Sequence, residues 1–218
     1  MDIVYVDGFK IRNTLDDDFG LLHFSGRKIS DYYSKWYIPE GEVWIDGIAK
    51  AETDFLLKIE QETDKYLAAN SQKESSDYRS YMKGFYRKGP IPNFIKDKKT
   101  ENGLTICYVD GPIVRQYLDP YFIFGGHDLV YDYVPFKEIW LDALTDPQEI
   151  KYILLHERVE RDLMEKGKDY DNAHRFATAA DMEERVKDGL ASYPEDENYK
   201  CSGFSNGELI KNYVIERR

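Results

Sequence analysis

The residue types that could carry chemistry in this chain are two histidines and a glutamate in its C-terminal half. His156 and Glu160 are four residues apart in a segment of helical periodicity, so they lie on one face of the predicted helix. His174 lies on the inner edge of the next predicted helix, which a turn around Gly167 joins to the first. Two imidazoles and one carboxylate around an open position form a ligand set for catalytic zinc, and also for iron or manganese. The pattern therefore predicts a metal site, with Zn²⁺ as the first candidate and Fe or Mn as alternatives.

The predicted helix that carries His156 and Glu160 has an apolar face, and both residues fall in the middle of it. At ~100° per residue that face also contains Tyr152, Ile153, Leu155, Val159, Leu163 and Met164. A polar side chain buried there without partners would cost on the order of 1–3 kcal/mol. A metal ion would supply the missing partner. So would a buried ion pair or hydrogen-bonded pair that fixes helix register, with Arg158 or Arg161 nearby, and both interpretations stay open at this point.

An internal repeat provides a comparison for this helix. Two blocks recur in the same order, Tyr5–Gly8 as Tyr108–Gly111 and Trp44–Asp46 as Trp140–Asp142. In the same alignment Ile59 is opposite His156. Thr63 is opposite Glu160. Because the first copy can build its helix with Ile and Thr, the architecture does not demand His and Glu in the second copy, and a site there is favoured.

The repeat and the residue patterns also predict the fold. Each copy has short segments rich in β-branched and aromatic residues, followed by helical periodicity. We therefore predict an α+β fold of two tandem, sequence-related units, an arrangement compatible with pseudo-twofold packing. Residues 1–100 form the N-terminal repeat unit with a degenerate site, and residues 103–192 form the C-terminal unit with the metal site. Residues 96–103 are predicted as a linker, and residues 193–218 as a tail.

Capping signals set the ends of the two predicted helices. Asp146 can cap a helix in which Pro147 occupies the first position and Glu149 reaches back to the cap. Gly167 is a plausible residue just beyond the end of that helix. The second helix is predicted to begin near Asp169 and to stop at Gly189.

The segment His156-Glu157-Arg158-Val159-Glu160 resembles the active-site helix of the zincin metallopeptidases, whose pattern is His-Glu-x-x-His. The predicted strand before it, Glu138–Asp142, resembles the sheet edge that precedes this helix in zincins. By this resemblance His156 is a metal ligand, and Glu157 is the general base that takes a proton from metal-bound water.

The chain departs from the zincin pattern at its last position, where Glu160 stands in place of the second histidine. The resemblance therefore requires Glu160 to be a ligand and His174 to supply the second imidazole from the following helix. Tyr170 is predicted to steady the oxyanion of the reaction.

Other residues with reactive side chains have ordinary structural interpretations. His127 follows Gly125 and Gly126 and is predicted to be a turn residue, with a reserve role as a ligand. His23 occupies a comparable place in the first copy, which weakens a catalytic role for His127. Cys107 looks like a small core residue, and Cys201 has no His or Asp companion that would indicate a nucleophile.

Composition narrows the classes of partner. The 218 residues carry 41 acidic and 30 basic side chains, a net charge of −11, whereas proteins that bind nucleic acid need a basic face. No apolar run approaches the ~20 residues that cross a bilayer, and the N-terminus lacks a secretory signal. Two cysteines are too few for a disulfide framework. We expect a cytoplasmic protein that binds neither nucleic acid nor membranes.

Two functions from different classes follow. The first is a metal-dependent hydrolase of zincin-like type, a peptidase or amidase, whose substrate is a protein or peptide. The second is a non-catalytic duplicated protein, namely a structural or host-interaction protein of a virus or mobile element. In this protein the His/Glu pair serves stability and the tyrosines bind protein partners. The order of strands, His-Glu-x-x-Glu helix and Tyr-x-x-x-His helix is similar to that of phage-type proteins, which suits the second hypothesis.

Overall fold

The fold is α+β, as the sequence predicts. The structure, a computed structural model, describes residues 2–25, 34–35, 37–70, 81–191 and 212–218. In these ranges nine strands form one five-stranded and one four-stranded sheet, accompanied by five α-helices. Within the same ranges no helix combines the length and the apolar character needed to cross a membrane.

The chain divides into two compact units. The N-terminal unit contains residues 1–69 together with 186–218, and the C-terminal unit contains residues 70–185. These boundaries differ from the predicted ones because residues 95–101 pair with the C-terminal sheet and residues 214–217 pair with the N-terminal sheet. Residues 193–211 of the predicted tail, which include Cys201, lie outside the described residues.

The N-terminal unit is built around a parallel pair of strands. Its elements are β1 (Asp2–Val6), α1 (Gly8–Thr14), β2 (Leu22–Ser25), β3 (Ser34–Lys35), β4 (Glu42–Asp46), α2 (Thr53–Ala69) and, from the end of the chain, β9 (Val214–Arg217). The sheet order is β3-β2-β4-β1-β9. Strands β1 and β4 are parallel, and β2 and β9 flank them in antiparallel orientation.

The C-terminal unit repeats this arrangement. Its elements are β5 (Ile95–Glu101), β6 (Leu104–Val109), α3 (Gly111–Tyr117), β7 (Gly125–His127), β8 (Glu138–Asp142), α4 (Ile150–Glu165) and α5 (Tyr170–Lys187). The sheet order is β5-β6-β8-β7, with β6 and β8 parallel and an antiparallel strand on each side. The register of the central pair agrees as well, since Val109 pairs with Asp142 as Val6 pairs with Asp46.

The segment predicted as a linker is a strand, so that prediction was wrong. Strand β5 forms a hairpin with β6 through Asn102 and Gly103, which have φ angles of 52° and 78°. Positive φ at both central residues is the type I′ geometry that an Asn-Gly turn favours. The side chains of β5 are all exposed, which explains why no hydrophobic alternation marks the strand in the sequence.

The helix ends were predicted in part. Helix α4 begins at Ile150, because Asp146 accepts a hydrogen bond from the backbone of Gln148 in a preceding turn. Glu149 is fully buried and pairs with Arg185, so it does not reach back to cap the helix. Gly167 follows the helix with a φ of 90°, as its predicted role requires.

The recurring residues of the C-terminal unit form a buried ion pair. Arg115 of α3 donates to the Asp142 carboxylate at the end of β8 over 2.8 Å and to the Phe122 carbonyl oxygen over 3.1 Å. Both charged side chains are buried. Gly111 is required beside them, because a Cβ there would lie 1.8 Å from an Asp142 oxygen.

The N-terminal unit contains the same construction. Arg12 donates to Asp46 over 2.9 Å and to the Phe19 carbonyl oxygen over 3.0 Å. A Cβ at Gly8 would lie 1.9 Å from the Asp46 carboxylate. The repeated Asp-Gly and Trp-x-Asp blocks are therefore the sequence trace of one buried contact between a helix and a strand end.

The C-terminal sheet is covered by a helix on each face, and this determines which helix each strand side chain contacts. Cys107 and Trp140 pack with Val114 of α3 on one face. Ile139 and Leu141 pack with Ile153 of α4 on the other face. Because side chains alternate along a strand, each strand residue is committed to α3 or to α4.

Replacing Arg115 with Leu is expected to destabilise the C-terminal unit by about 3–5 kcal/mol, since it leaves the Asp142 carboxylate buried without its cation. Urea unfolding followed by circular dichroism measures this. Lys166→Ala breaks the exposed Lys166–Asp162 pair and should change the free energy of unfolding by less than about 1 kcal/mol. Equal effects of the two substitutions would contradict the assigned role of the buried pair.

Candidate metal centre

The three predicted ligands converge in the structure. Nδ1 of His174 lies 2.6 Å from Oε2 of Glu160 and 3.2 Å from Nε2 of His156. Nε2 of His156 lies 3.5 Å from the same Glu160 oxygen. One carboxylate oxygen and two imidazole nitrogens therefore face a common point.

Local sequence explains this convergence. The four-residue spacing in α4 stacks His156 over Glu160 on one side of the helix. In α5 the buried residues Ala173 and Ala177 flank His174, and small side chains at these positions let the two helices approach closely. The turn at Gly167 brings α5 back along α4.

The geometry suits a small cation. Ligand atoms of tetrahedral zinc, at about 2.0–2.2 Å from the ion, lie about 3.3–3.6 Å from one another. The two distances that involve His156 are close to this range, and the third is that of a charge-assisted hydrogen bond, whose proton an ion would replace. The His174 side chain is 43% exposed, against 15% for His156 and 5% for Glu160. The cluster therefore opens to solvent on the His174 side.

A fourth polar residue, His127, reaches the same carboxylate from the sheet. It is fully buried at the end of β7, and its Nε2 lies 3.1 Å from Oε1 of Glu160. Its Nδ1 accepts a hydrogen bond from the backbone N–H of Leu129 over 3.2 Å. Since Nδ1 is an acceptor, the proton of the neutral ring is on Nε2 and is donated to Glu160.

The prediction that His127 is a turn residue was wrong, and so was its comparison with His23. In β7 the residue pairs with Ile139. In the N-terminal unit Phe24 pairs with Val43, the counterpart of Ile139 in the repeat, while His23 pairs with Trp44. Phe24 is therefore the structural equivalent of His127. This register is visible only in the structure, because a three-residue strand shows no alternation in the sequence.

The Asp181 carboxylate lies behind the His156 ring. Its Nδ1 lies 3.7 Å from the Asp181 carboxylate. Asp181 accepts a hydrogen bond from Nε of Arg185 over 2.6 Å, and Arg185 also pairs with the buried Glu149. A carboxylate behind a histidine is the usual outer partner of a metal-bound imidazole, where it orients the ring.

The electrostatics of the cluster favour a cation at its centre. Burial alone would raise the pKa of Glu160, but hydrogen bonds from His127, His156 and His174 outweigh it and lower that pKa. Burial would lower the pKa of His156, yet its hydrogen bonds with Asp181 and Glu160 raise it to about 10. The site thus stabilises an anionic carboxylate beside a positive charge.

The predicted general base, Glu157, is buried on the sheet side of α4. It lies so close to Gly125 that a Cβ there would be 2.9 Å from its Oε1. Within the described part of the chain its carboxyl group has no hydrogen-bond partner. Burial raises its pKa to about 8; the charge of His156 acts against this shift, and that of Glu160 adds to it. The cluster thus contains a buried carboxyl group without a hydrogen bond or ion pair among the described residues.

Neither a protein-family model, nor a curated protein, nor a solved structure matches this chain.

Tyr170, predicted to steady an oxyanion, lies at the open side of the cluster. Its ring stacks on His174 with centroids 5.4 Å apart, and it is exposed. The stacking limits rotation of His174, the most exposed of the three converging residues.

The buried face of α4 differs from the predicted apolar arc. Its buried residues are Tyr152, Ile153, Glu157, Glu160 and Arg161, whereas Leu155, Val159 and Leu163 are half-buried. The helix packs against β7 and β8 as well as α5, so its contact surface is wider than one stripe. The arginines proposed as partners of a structural His/Glu pair bind elsewhere, Arg158 to Glu101 and Arg161 to Asp128.

The N-terminal unit has packing residues where this cluster lies. Ile59 and Phe24 are buried. The Thr63 hydroxyl donates to the Ile59 carbonyl oxygen in its own helix, 2.8 Å away. Met82, which the repeat aligns loosely with His174, is also buried but belongs to the C-terminal unit, and residues 71–80 lie outside the described ranges.

Cys107 is expected to be chemically inert. It is fully buried, and burial together with the adjacent Glu138 carboxylate raises its pKa to about 12. In a Cys201→Ser variant, native protein at pH 8 should not react with a thiol reagent, whereas protein in guanidinium chloride should show one reactive thiol. Reaction of the native variant within minutes would mean that Cys107 is accessible and that a cysteine nucleophile must be reconsidered.

Proposed function

We propose that this chain is a metal-dependent hydrolase of zincin-like type, a peptidase or amidase, with its site in the C-terminal unit. The observation that carries the proposal is the convergence of His156, Glu160 and His174 within 3.5 Å of one another. The buried carboxyl group of Glu157 has an oxygen within 4.8 Å of one of Glu160. Two imidazoles and a carboxylate are the ligands of one class of catalytic zinc site.

The chain's own residues then have distinct tasks. A zinc ion bound by the three side chains would lower the pKa of a coordinated water towards about 7 and polarise a substrate carbonyl. Glu157 would accept the proton of the attacking water and pass it to the leaving nitrogen, as the resemblance to zincins implies. Asp181 would keep the His156 ring oriented through Nδ1.

The substrate would enter from the side of His174, because this residue and Tyr170 are the exposed members of the cluster. The Tyr170 hydroxyl is proposed to steady the oxyanion that forms from the scissile carbonyl. A protein or peptide substrate is proposed because the amide carbonyl is the group that this arrangement would activate.

We also infer that the two units arose by internal duplication. Shared strand order, shared register and the repeated Arg–Asp contact support this origin. In this history the C-terminal unit carries the site and the N-terminal unit carries packing residues. A pseudo-twofold arrangement stays a prediction of that origin.

A second candidate is a non-catalytic protein in which the cluster serves stability. It is favoured by the fact that both Glu160 oxygens already have hydrogen-bond partners, His127 and His174. The tyrosines give it less support, since among the described residues only Tyr81 and Tyr170 are exposed.

Exchanging the cluster for the residues of the N-terminal unit separates the two functions. The triple variant with His127→Phe, His156→Ile and Glu160→Thr should lose zinc binding, because both proposed ligands of α4 are removed, together with the imidazole that is hydrogen-bonded to Glu160. It should keep or raise its stability in the absence of metal, since Phe24, Ile59 and Thr63 pack in the same places. Metal analysis after dialysis and urea unfolding give the two readouts.

Wild-type protein that binds no zinc at micromolar concentration would end the hydrolase proposal. A loss of more than about 3 kcal/mol in the metal-free triple variant would favour the stability role instead.

Glu157→Gln tests the chemistry. The variant should bind zinc as tightly as wild type, because Glu157 is not a ligand, and should cleave a fluorogenic peptide library about 10²–10⁴-fold more slowly. Glu184→Gln, which changes an exposed pair with Lys151, serves as the matched variant and should retain full activity. If zinc-loaded wild type cleaves no member of the library, or Glu157→Gln cleaves at the wild-type rate, the proposed mechanism is wrong.

A further inference from the structure

The hydrogen bond between His127 and Glu160 has no role in the proposed hydrolysis. It joins a fully buried imidazole to the oxygen of Glu160 that faces away from His156 and His174. An imidazole in this place is not needed for packing, because Phe24 fills the equivalent position of the N-terminal unit.

We propose that His127 is a positioning residue that holds Glu160 as a one-oxygen metal ligand, and that the site therefore takes a single metal ion. The inference rests on the proposed metal site. Oε1 of Glu160 accepts the Nε2–H of His127, so that Oε2 is the oxygen that faces His174, His156 and the proposed cation. A carboxylate held in this way cannot rotate to present both oxygens.

The turn that follows His127 is hydrogen-bonded to α4, and this fixes the position of the imidazole relative to Glu160. Asp128 accepts two hydrogen bonds from Arg161, at 2.6 and 3.0 Å. It also accepts one from the backbone N–H of Lys137. This bidentate pair is buried, and its Arg161 directly follows Glu160 in α4.

His127, Glu157 and Glu160 form a second group of residues that could hold a metal ion, but the backbone beside His127 disfavours one there. One atom each of His127, Glu157 and Glu160 lie within 4.8 Å of one another, and all three residues are buried. A metal ion on Nε2 of His127 would force the ring proton onto Nδ1. That nitrogen faces the N–H of Leu129, 3.2 Å away, and two donors would then point at each other.

The N-terminal unit supports a link between the two groups. Where His127 is replaced by Phe24, Glu160 is replaced by Thr63, so the donor and the acceptor are absent together. This is expected if the imidazole is present for the carboxylate and not for the sheet.

Zinc affinity and stoichiometry of wild type, His127→Phe and His127→Gln test the proposal. Wild type should bind one ion per chain. His127→Phe should bind one ion about 10–100-fold more weakly, the usual effect of removing an outer partner of a ligand. His127→Gln should recover most of the affinity, because its amide N–H can donate to Oε1. Co²⁺ absorption should change in His127→Phe and return in His127→Gln.

The tautomer of His127 provides a readout that does not depend on metal binding or activity. Long-range ¹H–¹⁵N spectra, assigned by loss of the signal in His127→Phe, should show Nε2 protonated in metal-free and in zinc-loaded wild type. A proton on Nδ1 in either form would overturn the proposal.

Three further outcomes would overturn it. Two ions per wild-type chain, with one lost in His127→Phe, would make His127 a ligand. Equal affinities of wild type and His127→Phe would show that the hydrogen bond has no positioning role, while the proposed function would stand. A wild-type chain that binds no metal would remove the proposed function and this inference with it.

Discussion

The buried ion pair between Arg115 and Asp142 is the constraint on which the C-terminal unit depends. It ties α3 to the end of β8, and so fixes which face of the parallel pair β6 and β8 is closed by that helix. The opposite face is left for α4. Strand β7 pairs with β8, and paired residues lie on the same face of the sheet. Gly125 and His127, which pair with Leu141 and Ile139, must therefore face α4. The place of the candidate metal centre follows from this choice of face.

The N-terminal unit shows that the fold does not need the centre. It has the same pair, Arg12 with Asp46, and the same strand order, yet packs Ile59, Thr63 and Phe24 where the other unit has His156, Glu160 and His127. Burying a carboxylate costs several kcal/mol before its partners are counted. The fold of the N-terminal unit thus forms without this cost, which the C-terminal unit bears at the equivalent positions.

The part of the site that lies on helices could be predicted from the sequence, and the part on strands could not. The spacing of His156 and Glu160, and the return of the chain at Gly167, are local properties of helices. His127 belongs to a strand of three residues that begins with two glycines, which is too short to show alternation. The strand β5 has no buried side chain, and only its Asn-Gly turn marks it.

The proposed metal site would give the departure from the zincin pattern and the presence of His127 one physical explanation. A histidine at position 160 would offer a single nitrogen to a metal and need a partner for its other nitrogen only. A glutamate there has two equivalent oxygens, and the one turned towards the sheet is buried away from water. It must receive a hydrogen bond or lose several kcal/mol. His127 supplies that bond from β7, while His174 supplies the imidazole that the pattern lacks. In the proposed site, the exchange of one ligand type would therefore require both histidines, one on each side of the same carboxylate.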